Sequence, residues 1–201
     1  MSIQPNRSRP GLCKWALLVG VVLLTGCGLA ATDGFAWLRP TDNFHAVKEG
    51  QAYRSGQLDG ESFKLVVDTY GIRTVINLRG ENPDEQWYQQ EVAATLEKGV
   101  TLVNIPMSAK SLPSRETLLA IYDTIITSEH PVLIHCQAGA DRTGAVSAVW
   151  RMVVLGEPRE AAQTELSPWY GHFEAVNPMM DELVRIFEPD RDWILSDYAE
   201  P

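Results

Sequence analysis

Ten consecutive residues, His135-Cys-Gln-Ala-Gly-Ala-Asp-Arg-Thr-Gly144, hold the side chains best suited to chemistry. Five residues separate Cys136 from Arg142, and Thr143-Gly144 open an apolar stretch. A loop this short, curling from a strand into a helix, turns successive backbone N–H groups inward as an anion-binding nest. The helix N-terminus adds the positive end of its dipole. The field that holds a phosphate also favours a thiolate, so Cys136 is the candidate nucleophile. Arg142 can offer two parallel N–H groups to phosphate oxygens, in the ground state and in the transition state. The backbone of Gln137, Ala138, Gly139, Ala140 and Asp141 would line the same anion, and Gly139 permits a positive φ or a close approach there. His135 is expected to hydrogen-bond backbone beside the cysteine and so orient the loop.

Such a loop needs a strand to deliver the cysteine and a helix to receive the arginine. Pro131-Val-Leu-Ile-His-Cys136 is nearly continuously apolar, as for a strand buried on both faces. Thr143 to Leu155 reads as a helix closed by Gly156. Upstream, Phe44 to Val47 and Ala52 to Ser55 flank Glu49-Gly50 as a hairpin. Ser62 to Tyr70 is a helix and Thr74 to Leu78 a strand. Asn82-Pro83-Asp84-Glu85 sets a cap, a proline at N1 and a glutamate at N3 before a helix ending near Gly99. Val100 to Ile105 is a strand and Ser114 to Ser128 a helix. Helices follow at Pro158 to Leu166 and at Pro178 to Phe187, the second capped by Asn177. This alternation predicts one α/β domain over residues 44–190, a mainly parallel central sheet flanked by helices. In such sheets sites form outside the carboxyl ends of the strands, where Cys136 falls. Trp169, Tyr170, His172 and Phe173 read as core and lid packing. Arg54, Arg79 and Glu81 read as solvated or salt-bridging, and residues 191–201 as an acidic tail with an apolar centre.

Composition narrows the function. With 201 residues, 45% of them apolar, the chain can build one ordinary core and is unlike a disordered protein. Its net charge of −9 argues against a nucleic-acid partner. Three cysteines are too few for a disulfide scaffold or a cysteine-rich zinc site. His45, His130, His135 and His172 show no metal-ligand spacing, so neither a metal nor a cofactor is expected.

The charge is uneven. Residues 1–26 carry Arg7, Arg9 and Lys14 and no acid, which leaves 14 basic against 26 acidic residues, or −12, beyond them. This basic stretch leads into Trp15-Ala-Leu-Leu-Val-Gly-Val-Val-Leu-Leu24 and then Thr25-Gly26-Cys27. A positive segment, a short apolar run and small residues before a cut describe an export signal over 1–26. Leu24-Thr25-Gly26-Cys27 is similar to a bacterial lipobox, which implies lipid on Cys27, a tether over 27–43 and a place in the bacterial cell envelope facing the periplasm or exterior. The alternative is an uncleaved membrane-anchoring helix. If Cys13 leaves with the signal and Cys27 carries lipid, Cys136 is the only thiol of the mature chain. It then has no intramolecular disulfide partner in an oxidising compartment.

The ten-residue stretch resembles the Cys-X5-Arg loop of cysteine-based phosphatases: His135, Cys136, Gly139, Arg142, Thr143 and Gly144 all match HCxxGxxRTG. Tyr53-Arg-Ser-Gly-Gln57, Thr74-Val-Ile-Asn-Leu-Arg79 and Ile105-Pro-Met107 look like those of the compact, atypical dual-specificity phosphatases of bacteria, plants and fungi. The resemblance implies a phosphomonoester hydrolase that works through a phosphocysteine intermediate on a phosphorylated protein or small molecule. It also implies that Thr143 stabilises the sulfur as it leaves. The family's usual general acid lies on a loop before the active-site strand. Here that loop is Pro106-Met-Ser-Ala-Lys-Ser-Leu-Pro113 and holds no carboxylate. Glu116 falls in a helix first turn, where an acid is simply a dipole partner. That leaves Asp141, either as the acid or only as a brace for the loop. Gln137 and Ala140 stand where relatives that handle polyphosphates place lysines, which favours a simple phosphate group, with Lys110 and Arg115 as the nearby cations that could contradict this. A sulfurtransferase of the rhodanese type and a phosphate-recognition module without turnover are the competing readings.

Overall fold

The computed structural model describes Met1 and residues 42–199. The export segment, Cys27 and nearly all of the tether lie outside the described residues.

Five strands form one sheet: β1 (His45–Lys48), β2 (Ala52–Ser55), β3 (Thr74–Asn77), β4 (Thr101–Asn104) and β5 (Val132–His135). Their order is β1-β2-β5-β3-β4, antiparallel at the β1–β2 hairpin and parallel elsewhere. The cysteine-bearing strand β5 is central, and its Val132-Leu-Ile-His135 is fully buried, as its apolar run demands. Parallel register sets Ser55, His135 and Asn77 side by side, and Asn104 pairs with Asn77. The carboxyl ends of four strands thus form one rim.

Alternation along the strands feeds two cores. Tyr53, Val75 and Leu133 face one side with Phe44, Phe63, Val66 and Ile72. Ala52, Ile76, Val132 and Ile134 face the other with Leu118, Ile121, Trp150 and Leu183. Each fully buried Leu, Ile or Phe contributes about 1.5–3 kcal/mol. Helices α1 (Gly60–Tyr70) and α2 (Gln86–Lys98) pack against each other, and α3 (Arg115–Thr127) packs on α4 (Asp141–Leu155). The short α5 (Arg159–Ala162), α6 (Pro178–Ile186) and α7 (Arg191–Ser196) complete the second layer. Ile194 and Tyr198 of the C-terminal segment are buried, and the Tyr198 hydroxyl donates to the Pro113 carbonyl at 2.7 Å. Among the described residues no helix is long and apolar enough to cross a membrane.

Three local expectations are corrected. Helix α2 begins at Gln86 rather than at Asn82, because the Asn82 amide is spent on the Arg79 and Gly80 carbonyls and residues 82–85 close a separate turn. Helix α4 begins two residues early, so Asp141 and Arg142 are its first turn and not loop. Of the aromatic group after Pro168, Trp169 and Phe173 are 81% and 54% exposed and do not close a core.

Candidate active site

Strand β5 ends at His135, and Cys136 follows it into the interior, 2% exposed. Residues 137–140 then turn back into α4. Each carbonyl of this turn is bonded on its outer side. Gln137 O accepts from the Gln57 N–H at 3.0 Å, and Ala138 O accepts from Asn43 Nδ2 at 3.0 Å. Gly139 O and Ala140 O accept from Arg54 Nη2 at 2.7 and 3.4 Å. Among the described residues no protein acceptor takes the N–H groups of residues 137–142. With the carbonyls directed outward, those donors are left for an anion over Cys136, at the positive end of α4.

The turn can be this tight because position 139 is glycine. Its φ is +70°, and a Cβ there would stand 2.5 Å from Gly56 N and 2.6 Å from Ser55 C. Arg142 is fixed from behind: its Nη1 donates to Leu78 O at 3.2 Å and to Met107 O at 3.1 Å. Those carbonyls lie just past β3 and β4, so the strand rim aims the guanidinium. Its other N–H groups have no protein partner among the described residues and face the role expected of them.

The structure moves the role of His135 and places Thr143 and Arg54. His135 does not orient the loop through backbone. Its Nε2 donates to Glu91 Oε1 at 3.1 Å, both side chains 2% exposed. Burial pushes the Glu91 carboxyl up, but His135 and the hydrogen bonds from His135 and Gln57 outweigh it and hold Glu91 below the usual carboxylate range. The one sequence signal for this partner is that Glu91 sits among Tyr88, Ala94 and Thr95 on the buried face of α2. Thr143 is buried, and its hydroxyl donates to the Ser55 carbonyl at the outer limit of 3.5 Å. Of the two roles expected of Arg54, solvated or salt-bridging, it takes the second. It is 0% exposed, pairs with Glu165 at 2.7 Å, and lies over the Tyr170 ring at 3.9 Å while holding the loop.

Asp141, at the start of α4, shares a hydrogen bond between its Oδ1 and His172 Nδ1 at 2.7 Å. His172 Nε2 faces Asp181 Oδ2, also at 2.7 Å, and Asp181 Oδ1 accepts from Gln163 Nε2 at 3.0 Å. Sequence reading took His172 as packing and missed this chain. Lys110 and Arg115 are engaged elsewhere, with the Val176 and Tyr198 carbonyls. Cys136 is the free cysteine of the described residues, and among them no cluster of His, Cys, Asp or Glu could hold a metal ion.

Residues 37–174 match the family described as DSP-PTPase phosphatase fused to NAD+ kinase. The chain belongs to that family. It is thereby a cysteine-based phosphatase of the dual-specificity kind. Its relatives include the dual specificity protein phosphatase TpbA of Pseudomonas aeruginosa, 28% identical over 185 residues that cover 88% of this chain and 79% of TpbA. The inositol diphosphatase DSP3 of Arabidopsis thaliana is 31% identical over 122 residues, 58% of this chain and 57% of DSP3. The crystal structure of TpbA superposes with a TM-score of 0.61 at 25% identity, covering 79% of this chain and 94% of that one. The Siw14 catalytic core has the same fold, with a TM-score of 0.62 at 19% identity over 79% of this chain and 92% of its own.

Proposed function

We propose that this DSP-PTPase-family chain hydrolyses phosphomonoesters through a phosphocysteine on Cys136. The observation that carries the mechanism is the outward bonding of all four carbonyls of residues 137–140, which leaves a ring of N–H donors over the sulfur beside Arg142. In the first step the thiolate attacks phosphorus: the S–P bond forms, the ester P–O bond breaks, and the leaving oxygen takes a proton from Asp141. In the second step water attacks phosphorus, its proton passes to the Asp141 carboxylate, and the S–P bond breaks to return the thiolate. The N–H ring and Arg142 carry the charge of the equatorial oxygens in both steps. As substrate we infer a phosphorylated protein or a small phosphomonoester. A TpbA variant with serine for cysteine has been crystallised with phosphotyrosine, and DSP3 is named for inositol diphosphates, which supports this range.

The deciding experiment is p-nitrophenyl phosphate turnover by the full chain with a chelator present, wild type against Cys136→Ser. Turnover that survives the chelator and vanishes in the variant is the expected result. Turnover retained by Cys136→Ser, or sulfur transfer from thiosulfate in its place, overturns the reading. We also place the enzyme in the bacterial envelope, held by lipid on Cys27, on the strength of Leu24-Thr25-Gly26-Cys27 after a basic, apolar leader. Labelled palmitate that is incorporated by wild type and lost in Cys27→Ala is the expected outcome. Absence of label, or label retained by the variant, removes the lipid anchor.

A further inference from the structure

Arg142 serves the phosphate, and a second guanidinium beside it is still without a task. Arg79 directly follows Leu78, whose carbonyl accepts from Arg142 Nη1. Its own Nη1 donates to Gln57 Oε1 at 2.9 Å, and its guanidinium lies over the Trp87 ring, 3.5 Å from the centroid. The Gln57 backbone N–H in turn donates to Gln137 of the phosphate loop. Arg79 is therefore pinned on two sides next to that loop, half-buried, with Nε and Nη2 unspent among the described residues.

Among the described residues no carboxylate lies within ion-pair distance of it, and Glu91 reaches it only through Gln57. Arg54, Arg73, Arg151, Arg159, Arg185 and Arg191 each have an acidic partner within ion-pair distance. Among the described residues Arg79 and Arg142 have none, although the chain has 26 acids for 17 bases. Two fixed guanidinium groups left unpaired at one rim repel each other until an anion enters. Burial, and after it the charge of Arg142, lowers the Arg79 pKa from its ordinary value, while the more distant charge of Glu91, and after it those of Cys136 and Glu85, oppose this. The aromatic plate beneath and the glutamine at the side keep the fork from swinging away to solvent, so little ordering is left to be done on binding.

We propose that Arg79 is a second anion subsite: it takes a negatively charged group that a small-molecule substrate carries next to the phosphate held by Arg142. This rests on the phosphatase reading and refines its substrate class. It departs from the expectation drawn from Gln137 and Ala140. The loop lacks the lysines that meet dense charge, but the segment after β3 supplies a cation to the same rim. Doubly anionic small molecules are the preferred ligands, with the scissile phosphate over Cys136 and its neighbour against Arg79.

Inorganic phosphate and inorganic pyrophosphate, as competitive inhibitors of p-nitrophenyl phosphate turnover by the full chain, read the subsite. Pyrophosphate is expected to bind tighter by about tenfold or more, the size of one charge-assisted contact. Arg79→Gln is expected to bring the ratio of the two Ki values to within about threefold of one. A wild-type ratio near one overturns the proposal, and needs no variant to fold. A tenfold ratio that persists in a folded Arg79→Gln overturns it as well. A comparison of kcat/KM for o-carboxyphenyl phosphate and phenyl phosphate separates the two sources of the second charge. An Arg79-dependent preference there extends the subsite to carboxylates, and its absence beside a pyrophosphate preference restricts the subsite to phosphoryl groups. Titration of Cys136→Ser with both anions gives the binding ratio without turnover, so failure of the subsite is distinguishable from failure of the phosphocysteine mechanism.

Discussion

His172 Nδ1 lies 2.7 Å from Asp141 Oδ1, so the carboxylate that opens the active-site helix is held by a buried imidazole. The other face of the ring meets Asp181 at the same distance. Asp141 is thereby tied through the ring to Asp181, in a site whose loop 106–113 offers no acid of its own.

If Asp141 protonates the leaving oxygen, Asp141→Asn slows esters of poor leaving groups more than those of good ones. Phenyl phosphate turnover is expected to fall by roughly 10²–10⁴-fold, the usual worth of a general acid, and p-nitrophenyl phosphate turnover by much less. A kcat series over substituted phenyl phosphates measures this as a steeper dependence on leaving-group pKa. Equal losses across the series would leave Asp141 as a brace for the loop and nothing more.

The Arg54–Glu165 pair is buried on both sides, and Arg54 also carries the Gly139 and Ala140 carbonyls. Arg54→Met takes the donor from Gly139 O, Glu165 O and one carboxylate oxygen, while Ala140 O keeps the Gly144 N–H at 2.9 Å. Glu165 keeps Arg151 on its other oxygen at 3.1 Å, so the loss falls toward the lower end of the range for a broken buried pair, about 3 kcal/mol. Urea unfolding reads the stability, and kcat/KM is expected to fall with it because the loop loses its outer fastening.

What the sequence made legible was contiguous. HCxxGxxRTG lies in one run, and the apolar strand before it and the helix after it follow from local periodicity, so nucleophile, cation and fold class could be read directly. What stayed hidden are contacts made at long range. His135 meets Glu91 from 44 residues away, Asp141 meets His172 from 31, and Arg54 meets Glu165 from 111. A charged side chain is solvated by default, and only the sheet order that sets β2 beside β5 brings these groups into one interior. The misplaced start of α2 has a different cause: Asn82 has the chemistry of a cap, but nearer carbonyls claim its amide first.

Glu91 gives the site a dependence on acid. Its carboxyl titrates below the ordinary 4.5 in the folded chain, so its contribution is fully present above that value and is lost as pH falls through the lower folded one. Wild type is expected to lose stability from about pH 5 downward more steeply than Glu91→Gln. Near neutral pH the variant is the weaker protein by about 1–3 kcal/mol, because the His135 donor loses its ionic acceptor. Urea midpoints of the two proteins, followed from neutral pH into acid, should converge. Parallel curves would mean that Glu91 is not ionised against His135.

Two glycines with the same backbone separate strain from fit. Gly50 and Gly139 have φ of +72° and +70°, so alanine at either is disfavoured by about 1 kcal/mol or more. At Gly50, in the β1–β2 turn, a Cβ meets nothing within 4 Å. At Gly139 it meets Gly56 N, Ser55 C and Ser55 O at 2.5, 2.6 and 2.8 Å, all backbone that cannot rotate away. Gly50→Ala is therefore expected to lower stability by about that strain and leave kcat/KM near wild type. Gly139→Ala has to push the phosphate loop off the β2 segment, and a displacement near 1 Å at a reacting centre costs about 10²-fold. Melting temperature and kcat/KM for p-nitrophenyl phosphate, measured on both variants, give the comparison. If Gly139→Ala lost no more activity than Gly50→Ala, the close fit between the phosphate loop and Ser55-Gly56 would not be what shapes the anion site.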